Sequence, residues 1–529
     1  MKIRLNPFIA TLCLMGLVAT PAFALSSEKK GSERKGIDTV QIDSLSSQTK
    51  MLMAQVNRLQ KEVKSLQYQQ KTTGNMSKKS VSGSNQARHS NPTPRLQKDV
   101  VGHTPDSLEE NVLPFDPDQP GQAFVATGPY VGVPIQYTGS DLIINSPSVN
   151  TDVQLLGIRK TLLKKLHQMN PDLGEIAHTH LLVSGVVEGE ALYTRVGGGA
   201  NTSDFDVTNA SLDSFFIGPS DWTLGFLELT YDNGLPSGSG YRTSNSRIYV
   251  NKAFITIGDL AVSPFYGTFG QYYVPFGTYS SLMVSDVLTK LLARTKERAL
   301  TLGFQEQSEE NAFYGSVYGF RGDSRITNSS SRLNNGGVNV GYKFKQANMH
   351  GDIGGGVIGN LADSGGMQSS NGFSADEQIT HRVPAYDLRA TLNLLDHFDF
   401  IGEYVGASTR FNPNDMGFNG HGAKPWAFDS QLAYSFYVLN DKPSSVGIGY
   451  ARTHEALSLG LPKNRYSVVF NTSYFRNTLQ SIEFRHDNNY AKGNTANGPT
   501  TTATGCTAAL CAGSGRADNA VTLLFDYYF

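Results

Sequence analysis

Charged side chains are scarce in this chain of 529 residues, because Asp, Glu, Lys and Arg together make up only 17% of it. The formal net charge is −1, which gives no sign of a basic surface for a nucleic acid. No apolar run after residue 25 reaches the roughly 18 residues that a membrane-spanning helix needs. The signatures of α/β-hydrolases, P-loop proteins and zinc proteases are absent as well. The sequence therefore predicts no enzyme, no cofactor, no resident metal and no nucleic-acid partner.

Cysteine is also rare, with three residues in the whole chain. Cys13 lies in an N-terminal apolar segment, and only Cys506 and Cys511 follow it. Two lone thiols supply too few ligands for a metal site. An exported protein can keep a disulfide, so we expect Cys506 and Cys511 to close a small loop through one.

The N-terminus carries the pattern of an export signal. Lys2 and Arg4 precede an apolar stretch, and the small residues Ala22 and Ala24 flank a phenylalanine at its end. This order of charge, apolar segment and small residues is typical of a secretory signal peptide. We therefore predict a signal peptide over residues 1–24 that is cleaved after Ala24.

The C-terminal residues have an apolar face. Side chains alternate with period two along a strand, and one face of the last strand would carry Val521, Leu523, Phe525, Tyr527 and Phe529. This pattern predicts either a core strand or the closing strand of an outer-membrane β-barrel, which presents such a face to outer-membrane lipid. In the second case Phe525, Tyr527 and Phe529 also resemble the sorting signal that the barrel-assembly machinery recognises.

From about residue 178 onward, segments of about ten residues alternate apolar and polar side chains between turn-forming residues. Charges recur on the polar faces, and a dry core would make each of them cost several kcal/mol, whereas a watery lumen accepts them. We therefore predict an all-β fold, a transmembrane antiparallel β-barrel of about sixteen strands over residues 178–529 with an aqueous channel. The predicted strands begin near residues 178, 207, 222, 247, 264, 298, 311, 336, 349, 381, 398, 425, 444, 465, 477 and 520.

Residues 37–70 carry a heptad repeat without glycine or proline. Its a positions are Ile42, Thr49, Val56 and Val63, and its d positions are Leu45, Leu52, Leu59 and Leu66. The repeat predicts a periplasmic α-helical coiled coil of two or three strands, and hence a homo-oligomer. An amphipathic helix packed against its own chain is the alternative.

Two segments separate the predicted coiled coil from the barrel. Residues 71–105 are polar, basic and of low complexity, which predicts a disordered linker. Residues 106–177 mix short apolar segments with proline and glycine, and residues 151–169 have helical spacing. The sequence leaves open whether residues 106–177 form a small periplasmic module or a plug in the barrel.

A group of cations follows a predicted bend within the barrel region. The bend is expected at Pro275, since proline cannot donate to a sheet ladder, and residues 281–295 have helical spacing with many apolar positions. An outward loop would leave those positions in water, so we predict that the loop turns into the pore and presents its cations to an anionic solute. The predicted substrate-binding residues are Lys290, Arg294, Lys296 and Arg298. Alternatively, these cations only balance lumen acids, namely Glu188, Glu190 and Glu228.

The whole chain resembles the legiobactin-receptor-like family of siderophore porins. The resemblance rests on the signal peptide, the coiled coil, the segment Ser140-Asp141-Leu142-Ile143-Ile144-Asn145 and a barrel that ends in Phe529. It implies uptake of a ferric siderophore, here expected to be an anionic carboxylate type, without TonB. The place of action would be the outer membrane of a Gram-negative cell, with the N-terminal region in the periplasm. A general or anion-selective porin is the first alternative, and a structural or adhesive outer-membrane protein is the second.

Overall fold

The computed structural model describes residues 122–124, 150–157, 159, 180–217, 222–232, 247–306, 308, 311–326, 332–346, 348–368, 378–395, 397–438, 442–475, 478–498 and 511–529. The chain divides into two units, residues 1–98 and residues 99–529, and every described residue belongs to the second. The predicted cleavage site at Ala24, the coiled coil and the linker lie outside the described residues. Cys511 is disulfide-bonded, but Cys506 also lies outside them, so the pairing of these two cysteines stays a prediction.

Strands make up most of the described chain. In order they are β1 (Gln122–Phe124), β2 (His180–Arg195), β3 (Thr202–Ile217), β4 (Thr223–Asp232), β5 (Arg247–Gly258), β6 (Phe265–Tyr273), β7 (Lys296–Gln305), β8 (Asn311–Phe320), β9 (Asn335–Gln346), β10 (Met349–Ile358), β11 (Ala385–Leu394), β12 (Phe398–Ala407), β13 (Gly417–Phe418), β14 (His421–Gly422), β15 (Trp426–Val438), β16 (Lys442–His454), β17 (Asn464–Thr472), β18 (Thr478–Asn488), β19 (Thr495–Asn497), β20 (Cys511–Ala512) and β21 (Ala517–Tyr528).

Sixteen of the described strands form one closed antiparallel barrel, from β2 to β12, β15 to β18 and β21. Each pairs with its neighbours along the chain, and β21 closes the barrel on β2, with Tyr528 opposite Val186 and Asn519 opposite Arg195. The first strand begins and the last strand ends at the same end of the barrel, here called the terminal end; the opposite end is the loop end. The prediction of a transmembrane-type barrel of about sixteen antiparallel strands is confirmed.

Exposure alternates along the barrel strands. In β11, Leu388 is 61% exposed, whereas Asp387 and Arg389 are 1% and 5% exposed. The five apolar residues near the C-terminus named above, including Phe525, Tyr527 and Phe529, are each between 40% and 50% exposed. The outer face is therefore apolar and the inner face polar, as lipid outside and water inside require. The protein is an outer-membrane β-barrel, while the role of its last residues as a sorting signal stays a prediction.

Short elements lie beside the barrel strands. β1 runs parallel to the start of β2, with Ala123 opposite Leu182, and so lies at the terminal end. β13, β14, β19 and β20 form a separate small sheet within connections at the loop end. The described helices are α1 (residues 151–157), α2 (Leu288–Ala293) and α3 (Gly365–Gln368). Among the described residues, no helix is long and apolar enough to cross a membrane.

α1 packs inside the barrel. Its Leu155 is completely buried and belongs to one apolar cluster with Phe226 and Phe254, which are buried residues of β4 and β5. The Asp152 carboxylate accepts a hydrogen bond of 2.7 Å from the Thr268 hydroxyl on the inner face of β6. Burial raises the pKa of Asp152, although this hydrogen bond opposes the rise. The described part of residues 106–177 thus narrows the lumen.

Candidate functional site

The connection from β6 to β7 folds into the lumen. We call residues 274–295 the inner loop. Its Leu282 and Leu288 are at most 1% exposed, although the loop is a connection between strands. Gly277 has φ +75, a left-handed conformation that favours glycine and lets the chain turn inward after Pro275. The inward turn predicted from the sequence is found in this connection.

A carboxylate on the opposite wall holds the first part of the inner loop. One oxygen of Glu403 in β12 accepts hydrogen bonds from the backbone N–H groups of Thr278, at 2.7 Å, and Tyr279, at 3.2 Å. Its other oxygen accepts a bond of 2.6 Å from the Thr289 hydroxyl on α2. Three donors from two parts of the loop thus converge on one side chain. Glu403 therefore fixes both limbs of the loop at once.

The tip of the inner loop reaches further round the wall. The Gln431 side-chain oxygen in β15 accepts a hydrogen bond of 2.8 Å from the Leu282 N–H. The Glu483 carboxylate in β18 accepts bonds from Ser285, at 2.7 Å from its N–H and 2.6 Å from its hydroxyl. Since β15 and β18 lie across the barrel from β6 and β7, the loop spans the lumen and divides it.

An ion pair sits where the inner loop turns back into α2. Asp286 and Lys290 are one helical turn apart, and the Lys290 ammonium contacts the Asp286 carboxylate. Burial by itself would raise the pKa of Asp286, but Lys290, Arg294 and Arg465 together hold it below its usual range. Asp286 is therefore ionised at neutral pH, and the charge of Lys290 is neutralised.

The structure separates the four cations that the sequence grouped together. Lys290 lies in α2 beside Asp286, and Arg294 caps the end of that helix. Lys296 and Arg298 belong to β7, so the expectation that all four lie on the inward loop is wrong. Arg298 is exposed and shares the outer face of β7 with two exposed leucines. It is not part of the candidate site, because its side chain lies beside these leucines, whereas the Lys296 ammonium reaches Asn251 of β5 at 3.0 Å.

Two of the four cations meet around one aromatic ring. The Arg294 guanidinium lies 4.5 Å and the Lys296 ammonium 5.8 Å from the centroid of Tyr273, at the end of β6. The Lys252 ammonium of β5 also lies 5.8 Å from this centroid. We call Lys252, Tyr273, Arg294 and Lys296 the Tyr273 cluster. Lys252 and Tyr273 were not among the predicted site residues. The signal in the sequence was the position of Lys252 on the polar face of a strand next to β6.

The cations of the Tyr273 cluster differ in their charge partners. Lys252 forms an ion pair of 2.9 Å with Glu228 in β4. Lys296 donates a hydrogen bond of 3.0 Å to the neutral side chain of Asn251. Within the described part of the chain, no carboxylate lies within ion-pair distance of Arg294 or Lys296. These two half-buried side chains therefore have no ion-pair partner among the described residues, although Asp286 attracts Arg294 at longer range.

Two arginines on the barrel wall are neutralised. Arg389 pairs with Asp387 in β11, and both side chains are almost completely buried. Arg465 of β17 pairs with Asp487 of β18 at 2.7 Å. In the described ranges there is also no group of three or more His, Cys, Asp or Glu residues placed to hold a metal ion. The arrangement suits electrostatic binding of an anion at Arg294 and Lys296.

Curated relatives match most of the chain. A UPF0422 protein of Coxiella burnetii is 38% identical over 410 residues, which cover 77% of this chain and 84% of the relative. The chain belongs to the UPF0422 family. A UPF0422 protein of Legionella pneumophila (strain Lens) is also 38% identical, over 387 residues that cover 71% of both chains. No family model matches the sequence.

Solved structures with some likeness to this UPF0422 protein are outer-membrane barrels. The outer membrane channel DcaP of Acinetobacter baumannii aligns with a TM-score of 0.42 and 13% identity, over 67% of this chain and 98% of its own. An anion-selective porin from Comamonas acidovorans aligns with a TM-score of 0.42 and 9% identity, over 66% of this chain and 100% of its own. The assignment of the UPF0422 protein to the outer membrane rests on the strand pairing and the apolar outer face.

Proposed function

We propose that this protein is an outer-membrane channel that admits an anionic solute past the inner loop, attracted by Arg294 and Lys296. The observation that supports this most directly is the lack of a carboxylate partner for these two cations among the described residues. Paired cations such as Lys290 have little charge to offer a solute. Arg294 and Lys296 contact an aromatic ring, which stabilises a cation without cancelling its net charge.

The strength of this attraction is limited by water in the pore. A pair of opposite charges 4 Å apart is worth about 1 kcal/mol in water, and salt screens the interaction beyond roughly 8 Å at physiological ionic strength. Two neighbouring cations therefore favour a solute with several negative charges over a monovalent ion. Uptake of such a solute should weaken as ionic strength rises.

Within this function, the cargo we propose is a ferric siderophore of the anionic carboxylate type. The resemblance to siderophore porins supports that cargo, and the positive charge of Arg294 and Lys296 is compatible with it. A general or anion-selective porin is the second candidate. It is favoured by the ion pair between Lys290 and Asp286, which leaves fewer cations for recognition than the sequence suggested.

Iron-limited growth separates the two candidates. A deletion strain would be complemented with the wild-type gene, with Arg294→Gln/Lys296→Gln, or with Arg298→Gln, and supplied with a purified ferric carboxylate siderophore. We expect saturable growth support from the wild type, a several-fold loss in the double variant, and no loss in Arg298→Gln. The last variant is the matched control because Arg298 lies on the outer face.

Equal amounts of each protein in the outer membrane must be shown by immunoblot. Non-saturable uptake that all three proteins support equally would contradict siderophore recognition and favour a general porin. A wild-type protein that conducts no ions in a lipid bilayer would contradict the channel itself.

A further inference from the structure

We propose that the lumen holds a second binding site, a cavity beside α1 that takes a small solute bearing an oxyanion. The cavity has a volume of about 410 Å³, within the range of roughly 300–1,000 Å³ that ligand sites occupy. It lies between α1, the start of the inner loop and the wall formed by β8 to β11, and it shares no residue with the Tyr273 cluster. The inference rests on the proposed function only because the solute must enter the lumen.

Glycines on the wall make room for this cavity. A Cβ atom at Gly341 would lie 2.2 Å from the Tyr314 ring, and one at Gly354 would lie 2.9 Å from both the Tyr314 hydroxyl and the Arg389 guanidinium. Side chains at these two positions would therefore force Tyr314 or Arg389 away from the wall. With glycine there, Tyr314 lies against β9 and β10, and the space in front of it stays open.

The polar groups of the wall are held in fixed positions. The Tyr314 hydroxyl donates a hydrogen bond of 2.7 Å to Asp352 and accepts one of 3.2 Å from Arg389. Arg389 also donates to Asn339 and to Asp387. Asp352 and Arg389 are thus engaged with their neighbours. A site whose side chains are already fixed loses little conformational entropy when a ligand binds.

Lys343 is the lysine that lines this cavity. It lies on the inner face of β9 with its ammonium 5.5 Å from the centroid of the Tyr314 ring. It is exposed, and Asp352, opposite it in the ladder, accepts a hydrogen bond from Tyr314 instead. Among the described residues no carboxylate lies within ion-pair distance of Lys343. Neutral hydrogen-bonding side chains complete the cavity, among them Gln154, Ser280, Ser316 and Thr391.

A lysine without an ion pair, in a cavity lined mainly by hydroxyl and amide groups beside the engaged Asp352 and Arg389, is suited to an oxyanion. A carboxylate or phosphate accepts a charge-assisted hydrogen bond from the lysine and has further lone pairs for neutral donors. The size of the cavity allows the oxyanion to be carried on a small polar molecule rather than to bind alone. The site would hold such a solute beneath the inner loop, next to α1.

Isothermal titration of the full-length protein in detergent tests the site without requiring transport. Citrate and inorganic phosphate serve as probes, and they separate a carboxylate from a phosphate as the preferred group. We expect Lys343→Gln to weaken binding of the preferred probe by about tenfold, the effect of one partly shielded charge pair. Lys345→Gln should bind like the wild type, because Lys345 shares the inner face of β9 but does not line the cavity.

A second variant probes the cavity from the helix side. Gln154→Ala should weaken binding a few-fold, since Gln154 lines the cavity from α1. Heat-modifiable migration on gels shows whether each variant is folded. Binding of either probe that depends on Lys343 supports the site. Absence of binding to the wild type, or equal affinity in Lys343→Gln, would overturn it.

The Tyr273 cluster must be tested in the same titrations. If Arg294→Gln/Lys296→Gln abolishes binding while Lys343→Gln does not, the probes bind at the Tyr273 cluster, and the second site is overturned while the proposed function stands. If the double variant leaves both ion selectivity and binding unchanged while Lys343→Gln loses binding, the proposed role of Arg294 and Lys296 fails while the second site stands.

Discussion

Two groups of cations in the barrel have opposite kinds of partner. The guanidinium of Arg389 is bound by Asp387, Asn339 and Tyr314, and its side chain is only 3% exposed. Arg294 and Lys296 contact aromatic rings, and in the described chain neither forms an ion pair with a carboxylate, although Asp286 attracts Arg294 at longer range. The first arrangement uses a cation to hold the wall together. The second leaves the charge available to a solute.

The physical basis of this difference is the partner, not the type of cation. A carboxylate cancels the charge of an arginine, and the buried pair is costly to break because the remaining ion has no partner. An aromatic ring stabilises a nearby cation by about 0.5–2 kcal/mol and leaves its net charge in place. Counting cations in the sequence therefore overestimates how many can act on a solute.

The largest expected effect comes from breaking the buried pair. Arg389→Leu would leave Asp387, which is 1% exposed, without its partner. We expect a loss of about 3–5 kcal/mol of unfolding free energy, measured as a lower urea midpoint of the heat-modifiable form in detergent. Arg298→Gln is the control and should unfold like the wild type. A variant at Arg389 as stable as the wild type would show that this pair does not hold the wall.

A smaller effect is expected from releasing the inner loop. Glu403→Ala removes the acceptor for Thr278, Tyr279 and Thr289, and we expect docking of the loop to weaken by about 2–3 kcal/mol. The barrel should still assemble, since the loop is not part of the strand ladder. Single-channel recordings should show a larger and noisier conductance. Wild-type conductance in this variant would mean that Glu403 does not hold the loop.

Much of the barrel could be predicted because lipid and water impose opposite demands on alternate residues. The predicted starts near 247, 311, 349 and 398 coincide with observed strand starts. The second strand begins at Thr202 instead of near 207, because its first residues are polar and give no apolar alternation. They are strand because they pair with the loop end of β2, which a local pattern does not reveal.

The candidate site was less predictable. Lys252 is far from Arg294 in sequence, and only the strand order and the bend of the chain at Pro275 bring both to Tyr273. Arg298 was predicted as a site residue because it is close to Arg294 in sequence, but it lies on the outer face. Its predicted strand start near 298 left Lys296 in the loop, whereas β7 begins two residues earlier. The ion pair between Lys290 and Asp286 forms because a helical turn brings residues four apart together, and their spacing in the sequence permits such a turn.

The smallest effect concerns the ion pair in the inner loop. The pKa of Asp286 is held below its usual value of 3.8, so the pair stabilises the loop at and above that pH and loses this contribution as the pH falls further. Lowering the pH from 7 to 5 should therefore leave the Asp286 contribution to conductance unchanged. The difference in conductance between Asp286→Asn and the wild type measures this contribution. If that difference disappeared between pH 7 and pH 5, the pKa of Asp286 would not lie below its usual value.

We propose above that Arg294 and Lys296 make the channel prefer anions. Reversal potentials in planar bilayers under a KCl gradient measure this preference directly, with Arg298→Gln as the control that removes one cation from the outer face. We expect the wild type and the control to favour chloride, and Arg294→Gln/Lys296→Gln to shift toward potassium, because the lumen carboxylates remain. The same reversal potential in all three proteins would contradict the claim.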